Sequence, residues 1–173
     1  MYKKSKYLFV ALAILFSVTK VAAQKLPKFQ IMANLNYATP TNTDFKDFSN
    51  GGIGAEAGAG LGLGNTMIMG TLGYQSFGNT SANPAGTLKI TTIKGGLRQY
   101  FLRSHLFVLG NIGSAIQSYS SSSITGNNVI YEFGAGARLF GIELQLTQSS
   151  WQQPQPIPVS KAFNVKLGFS FKI

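Results

Sequence analysis

Across residues 128–147 the chain alternates with a period of two. Val129, Tyr131, Phe133, Ala135, Ala137 and Leu139, then Ile142, Leu144 and Leu146 after a tight break, fall on one face. The other face carries Ile130, Glu132, Gly134, Gly136 and Arg138, then Glu143, Gln145 and Thr147. Alternation over this length argues for two long paired strands, because a helix would repeat its apolar stripe every three to four residues. The contents of the two faces constrain the fold further. One face is wholly apolar and the other mixes glycine with full charges in mid-strand, as expected when the apolar side meets lipid and the polar side a closed lumen.

The rest of the chain repeats this pattern. Phe29, Ile31, Ala33, Leu35 and Tyr37 alternate with Gln30, Met32, Asn34 and Asn36; Ile53, Ala55, Ala57, Ala59, Leu61 and Leu63 alternate with Glu56 and four glycines. A third strand over residues 67–77 fits either phase, and Ile68, Leu72 and Tyr74 outward is preferred to Met67, Met69 and Phe77. In the fourth, Leu88 and Ile90 have the opposite parity to Ile93, Leu97 and Phe101, which implies a bulge or an inward isoleucine, with Lys94, Arg98 and Tyr100 inward. The fifth places Val108, Ile112 and Ile116 outward with Asn111 and Gln117 inward. The last alternates Phe163, Val165, Leu167, Phe169, Phe171 and Ile173 with Asn164, Lys166, Gly168, Ser170 and Lys172.

The count is eight strands. Their connections alternate between long polar segments (residues 39–51, 78–87, 119–127 and 148–160) and tight breaks (residues 64–66, 102–104 and 140–141). The expected fold is therefore all-β, an eight-stranded antiparallel up-and-down transmembrane β-barrel with long loops outside and short turns on the periplasmic side. An eight-stranded interior is just wide enough for side chains. A two-residue turn at Phe140-Gly141 sets Arg138 opposite Glu143, and inward Lys94, Arg98 and Lys166 with Glu56 and Glu132 extend that pair into a lumen charge network.

Residues 1–23 show lysines, an apolar run too short to span a bilayer as a helix, and Val21-Ala22-Ala23 before Gln24, the layout of a secretory signal peptide. Residues 24–173 then form one barrel domain. Losing Lys3, Lys4, Lys6 and Lys20 lowers the formal charge from +10 to about +6. The remaining basic residues are scattered singly, so no nucleic-acid partner is expected. With no cysteine, disulfides and thiolate metal sites are excluded. Asp44 and Asp47 are too few carboxylates for an oxygen-ligand site, and neither metal nor cofactor is expected.

No catalytic residues are expected either. The sole histidine, His105, sits at a tight turn on the predicted periplasmic side, and Glu132 with Ser149 lacks a group to activate the serine. A soluble lipocalin-like carrier is the less favoured alternative, since inverting the faces would bury Glu132, Glu143 and Arg138 in a ligand cavity. A small ion or solute channel is the closer one. Trp151, beside a proline-rich segment, is the candidate loop contact residue, with anchoring at the membrane interface its alternative role.

The signal layout, the eight strands, KGGLRQYF (residues 94–101), GAGARLF (residues 134–140) and the C-terminal FNVKLGFSFKI together resemble small OmpA/OmpX-like outer-membrane β-barrel proteins, over residues 28–173. The resemblance implies residence in a Gram-negative outer membrane, with membrane lipid as the surrounding partner and an extracellular ligand within reach of the long loops. It also implies recognition of the final strand by the barrel-assembly machinery; Phe169 and Phe171 match the family's terminal aromatic in kind, while Ile173 departs from it.

Overall fold

A computed structural model describes residues 27–80, 86–152 and 159–173, without the side chains of residues 103 and 122–124. The expected signal peptide lies outside these residues. Eight strands close into an antiparallel barrel in chain order: β1 (Lys28–Pro40), β2 (Ser49–Leu63), β3 (Thr66–Asn79), β4 (Leu88–Phe101), β5 (Leu106–Tyr119), β6 (Ser122–Leu139), β7 (Ile142–Trp151) and β8 (Ser160–Lys172). Each strand pairs with its sequence neighbour, and β1 closes on β8 from Gln30↔Lys172 to Pro40↔Ala162. Closure leaves no sheet edge to be satisfied by solvent or lipid.

Parity decides what each strand shows to either side. Leu35, Ile53, Leu61, Ile68, Leu72, Ile93, Leu97, Ile112, Phe133 and Phe169 all project outward and are exposed. Met67, Met69 and Phe77 point inward, so the preferred phase of β3 holds. Leu88 and Ile90 are also inward, and β4 pairs with both neighbours without a shift over this region. The parity change in β4 is thus an inward isoleucine rather than a bulge. A register irregularity does occur in β2 against β3, between Ser49 and Gly52.

Three of the expected long connections turn out shorter or more ordered. Residues 39–51 are largely structured: β1 runs to Pro40, a helix α1 (Thr43–Phe48) follows, and β2 starts at Ser49. Helix α1 is amphipathic, with Phe45 fully buried and Asp44, Lys46 and Asp47 exposed. Residues 119–127 form no long loop. After the turn Ser120–Ser121, β6 begins at once, and Thr125, Gly126 and Asn127 continue the ladder opposite Ser118, Gln117 and Ile116. Serine and threonine pair adequately in a strand ladder, although composition alone reads such a stretch as loop. β7 likewise continues to Trp151. At the other end, Phe140 and Gly141 turn the chain with φ of +51° and +88°, the left-handed pair a two-residue hairpin needs.

Candidate functional site: the lumen

The lumen is filled by side chains in three layers. The middle layer takes one charged residue from every second strand: Glu56 on β2, Lys94 on β4, Glu132 on β6 and Lys166 on β8. Lys94 Nζ donates to Glu56 Oε2 at 2.5 Å and Glu132 Oε2 at 2.7 Å. Lys166 Nζ lies 3.1 Å from both oxygens of Glu56 and 3.0 Å from both of Glu132. Each ion therefore touches both ions of opposite sign, closing a neutral quartet whose side chains are 1–3% exposed. Buried charges are tolerated when paired and hydrogen-bonded in this way.

Small residues make room for it. A Cβ on Gly73 would stand 2.7 Å from Thr92 Oγ1 and 3.6 Å from Glu56 Oε2. Asn111 Nδ2 adds a hydrogen bond of 3.0 Å to Glu132 Oε1. Beside the quartet a cavity of about 20 Å³, bordered by Asn36, Gln75, Ser149 and Asn164, has room for about one or two waters. Ser149 stands opposite Glu132, but its hydroxyl accepts from Asn164 Nδ2 at 3.0 Å, and Glu132 is engaged by both lysines.

Towards the tight turns lies a layer of Met32, Met67, Met69, Tyr100, Phe107 and Leu109 around a second ion pair. Arg98 Nη1 donates to Glu143 Oε1 at 2.7 Å, and its guanidinium carbon stacks 4.3 Å from the centroid of Phe107. Gln145 Nε2 also donates to Glu143 Oε1, at 2.6 Å. Tyr100 donates to Gln30 Oε1 at 2.7 Å.

Towards the loops the lumen is apolar. Ala38, Phe77, Leu88, Ile90, Ala115, Ile130, Trp151 and Ala162 form a chamber into which α1 inserts Phe45. The Phe45 ring meets Phe77 at 5.1 Å and Trp151 at 5.4 Å, both edge-on. Asn42 ties the start of α1 to the beginning of the neighbouring β8, donating to Val159 O and accepting from Lys161 N, each at 2.9 Å.

These placements correct two expectations. Trp151 is neither a loop contact nor an interfacial anchor: it ends β7 on the inward parity of Glu143, Gln145, Thr147 and Ser149, and is 2% exposed. Following that parity from Thr147 through Ser149 places it. Arg138 is indeed Glu143's register partner, yet the two form no ion pair. Arg98 takes the carboxylate because both are almost fully buried, where Coulomb attraction is strongest, whereas Arg138 is half-buried near the mouth and donates to Ser170 O at 3.0 Å. The seven expected charges thus divide into a quartet, a pair and a separate arginine. Phe45 had no readable signal, since it sits in a polar connection; Phe107 and the methionines were legible by parity. His105 is exposed at the turn after β4, with Nδ1 2.8 Å from Leu102 O.

No family model and no curated protein matches this chain. Solved structures do. Ail, the attachment invasion locus protein of Yersinia pestis, is 11% identical over 85% of this chain and all of its own, with a TM-score of 0.59. The N-terminal β-barrel domain of Pseudomonas aeruginosa OprF is 10% identical over 82% of this chain and 97% of its own, at 0.58. Neisserial surface protein A is 13% identical over 84% and 96%, at 0.52. At these identities the likeness establishes the fold alone: a closed eight-stranded up-and-down barrel, the fold of these three proteins.

Proposed function

We propose that this chain is a non-catalytic integral outer-membrane barrel, exported through its N-terminal segment. In this reading its plugged lumen serves stability, and its loop end serves adhesion, recognition or membrane structure. The observation that carries the reading is the inversion of the faces: exposed Leu, Ile and Phe surround all the strands, while eleven charges and amides among the described residues, Glu56, Lys94, Gln117, Gln145 and Asn164 among them, are buried inside. Water outside and oil inside would select the opposite arrangement. A role in attachment is the part favoured by the likeness to Ail. The barrel-assembly machinery is the expected partner of β8.

The test is fractionation with heat-modifiable gel mobility, followed by reconstitution in planar bilayers. Recovery as a folded monomer in the soluble periplasm would overturn the membrane reading. Steady ion conductance would favour the second reading, a small channel, for which the cavity beside the quartet is the supporting observation. A closed lumen gives none.

A further inference from the structure

At the turn end of the lumen the charges do not cancel. Lys28, Arg98, Arg138 and Lys172 point inward there, and Glu143, the one carboxylate side chain facing them among the described residues, is taken by Arg98. The other three cations have neutral partners. Lys172 Nζ lies 3.2 Å from the centroid of the Tyr100 ring, Arg138 Nη2 donates to Ser170 O at 3.0 Å, and Lys28 Nζ donates to Gly64 O at 3.3 Å. Arg138, Lys28 and Arg98 all repel the Lys172 ammonium, and Glu143 opposes them.

Unused polar groups lie in the same place. Gln30, fully buried and the register partner of Lys172, gives its oxygen to Tyr100 and leaves Nε2 unpartnered among the described residues. Arg138 Nε and Ser170 Oγ are likewise buried and unpartnered. Arg138 therefore has part of its donor fork free beside surplus positive charge, the combination that receives a multi-oxygen anion.

We propose that this turn end of the lumen binds an anion of the phosphate class, with the half-buried Arg138, Lys172 and Lys28 supplying charge and the buried Gln30 and Ser170 behind them supplying neutral hydrogen bonds. A phosphate ester suits it better than a single carboxylate because its oxygens are spread tetrahedrally and reach several donors at once. Inorganic phosphate and a phospholipid headgroup share this chemistry. The proposal does not depend on the role assigned to the loops.

The refolded full chain in uncharged detergent is titrated with inorganic phosphate by calorimetry at low salt. In parallel its thermal stability is compared in nanodiscs of zwitterionic lipid with and without an anionic phospholipid. Both are repeated with Arg138→Gln/Lys172→Gln and with the exposed loop-end control Lys89→Gln/Lys161→Gln. Saturable phosphate binding weakened about tenfold or more in the first variant supports a soluble anion. Stabilisation by anionic lipid that the first variant loses, with little phosphate binding, supports a headgroup. If neither probe separates the first variant from the wild type, or the control loses as much, the proposal is overturned. Gel mobility checks folding, and Lys172→Gln alone, at the end of β8, gives the same reading should the double variant not refold.

Discussion

Glu56, Lys94, Glu132 and Lys166 balance one another completely, whereas Arg98 and Glu143 sit nearer the turns among cations that outnumber them. Both sets are buried, but they are held differently. The quartet is tied to four strands spaced around the barrel, and every ion has two counterions. Arg98 has a single counterion and makes up the rest with a stacked Phe107, the Tyr100 hydroxyl at 3.2 Å and Met32 Sδ at 3.2 Å. A redundant neutral ring fixes the barrel's middle; a pair softened by aromatic and sulfur contacts leaves the turn end electrostatically open.

Breaking the quartet should therefore cost most. Glu132→Gln leaves two buried lysines with one carboxylate and is expected to destabilise by about 3 to 5 kcal/mol in denaturant unfolding. Adding Lys166→Met restores neutrality as a Lys94–Glu56 pair and should recover most of the loss. If the double variant is no more stable than the single one, the quartet is not electrostatically coupled.

Glu143→Gln comes next. It leaves Arg98 without its carboxylate but keeps the Phe107 face, which is worth about 2 kcal/mol to a desolvated cation, so the expected loss is about 2 to 3 kcal/mol. A loss equal to that of Glu132→Gln would remove the distinction drawn between the two sets.

Arg138→Ala sharpens the comparison from the other side. With no ion pair to lose, it should cost about 1 kcal/mol or less, and a double-mutant cycle with Glu143→Gln should show coupling below about 0.5 kcal/mol. Strong coupling would show that Glu143 exchanges between the two arginines in solution.

The sequence supports this division only up to a point, and the point is physical. Period-two parity determines the face, so every charged member of both sets was legible as inward, and the Arg138↔Glu143 register followed from the turn. Partner choice did not follow. In a tilted, closed barrel the tips of long side chains meet across the lumen, as Arg98 from β4 meets Glu143 from β7, and ladder neighbours need not be charge neighbours. The loop-end seal was harder still. Phe45 enters the barrel from a connecting segment with no alternation to reveal it, and the prolines after Trp151 make the strand look shorter in sequence than it is.

The smallest effect concerns the turn that carries β6 into β7 and so positions Glu143. Phe140 is 96% exposed and holds φ at +51°, a left-handed conformation that disfavours a residue with a Cβ. Asparagine tolerates it, and Asn-Gly is the preferred pair for a two-residue turn of this hand. Phe140→Asn should therefore stabilise the barrel by about 0.5 to 1 kcal/mol in detergent, where the ring has little to lose. The gain should appear equally in the Glu132→Gln and Glu143→Gln backgrounds, because a backbone preference at the turn does not depend on either charge set. Destabilisation in detergent would mean that the exposed ring makes a contact the turn requires. A gain that vanishes only in the Glu143→Gln background would mean that the turn acts by positioning that carboxylate for Arg98.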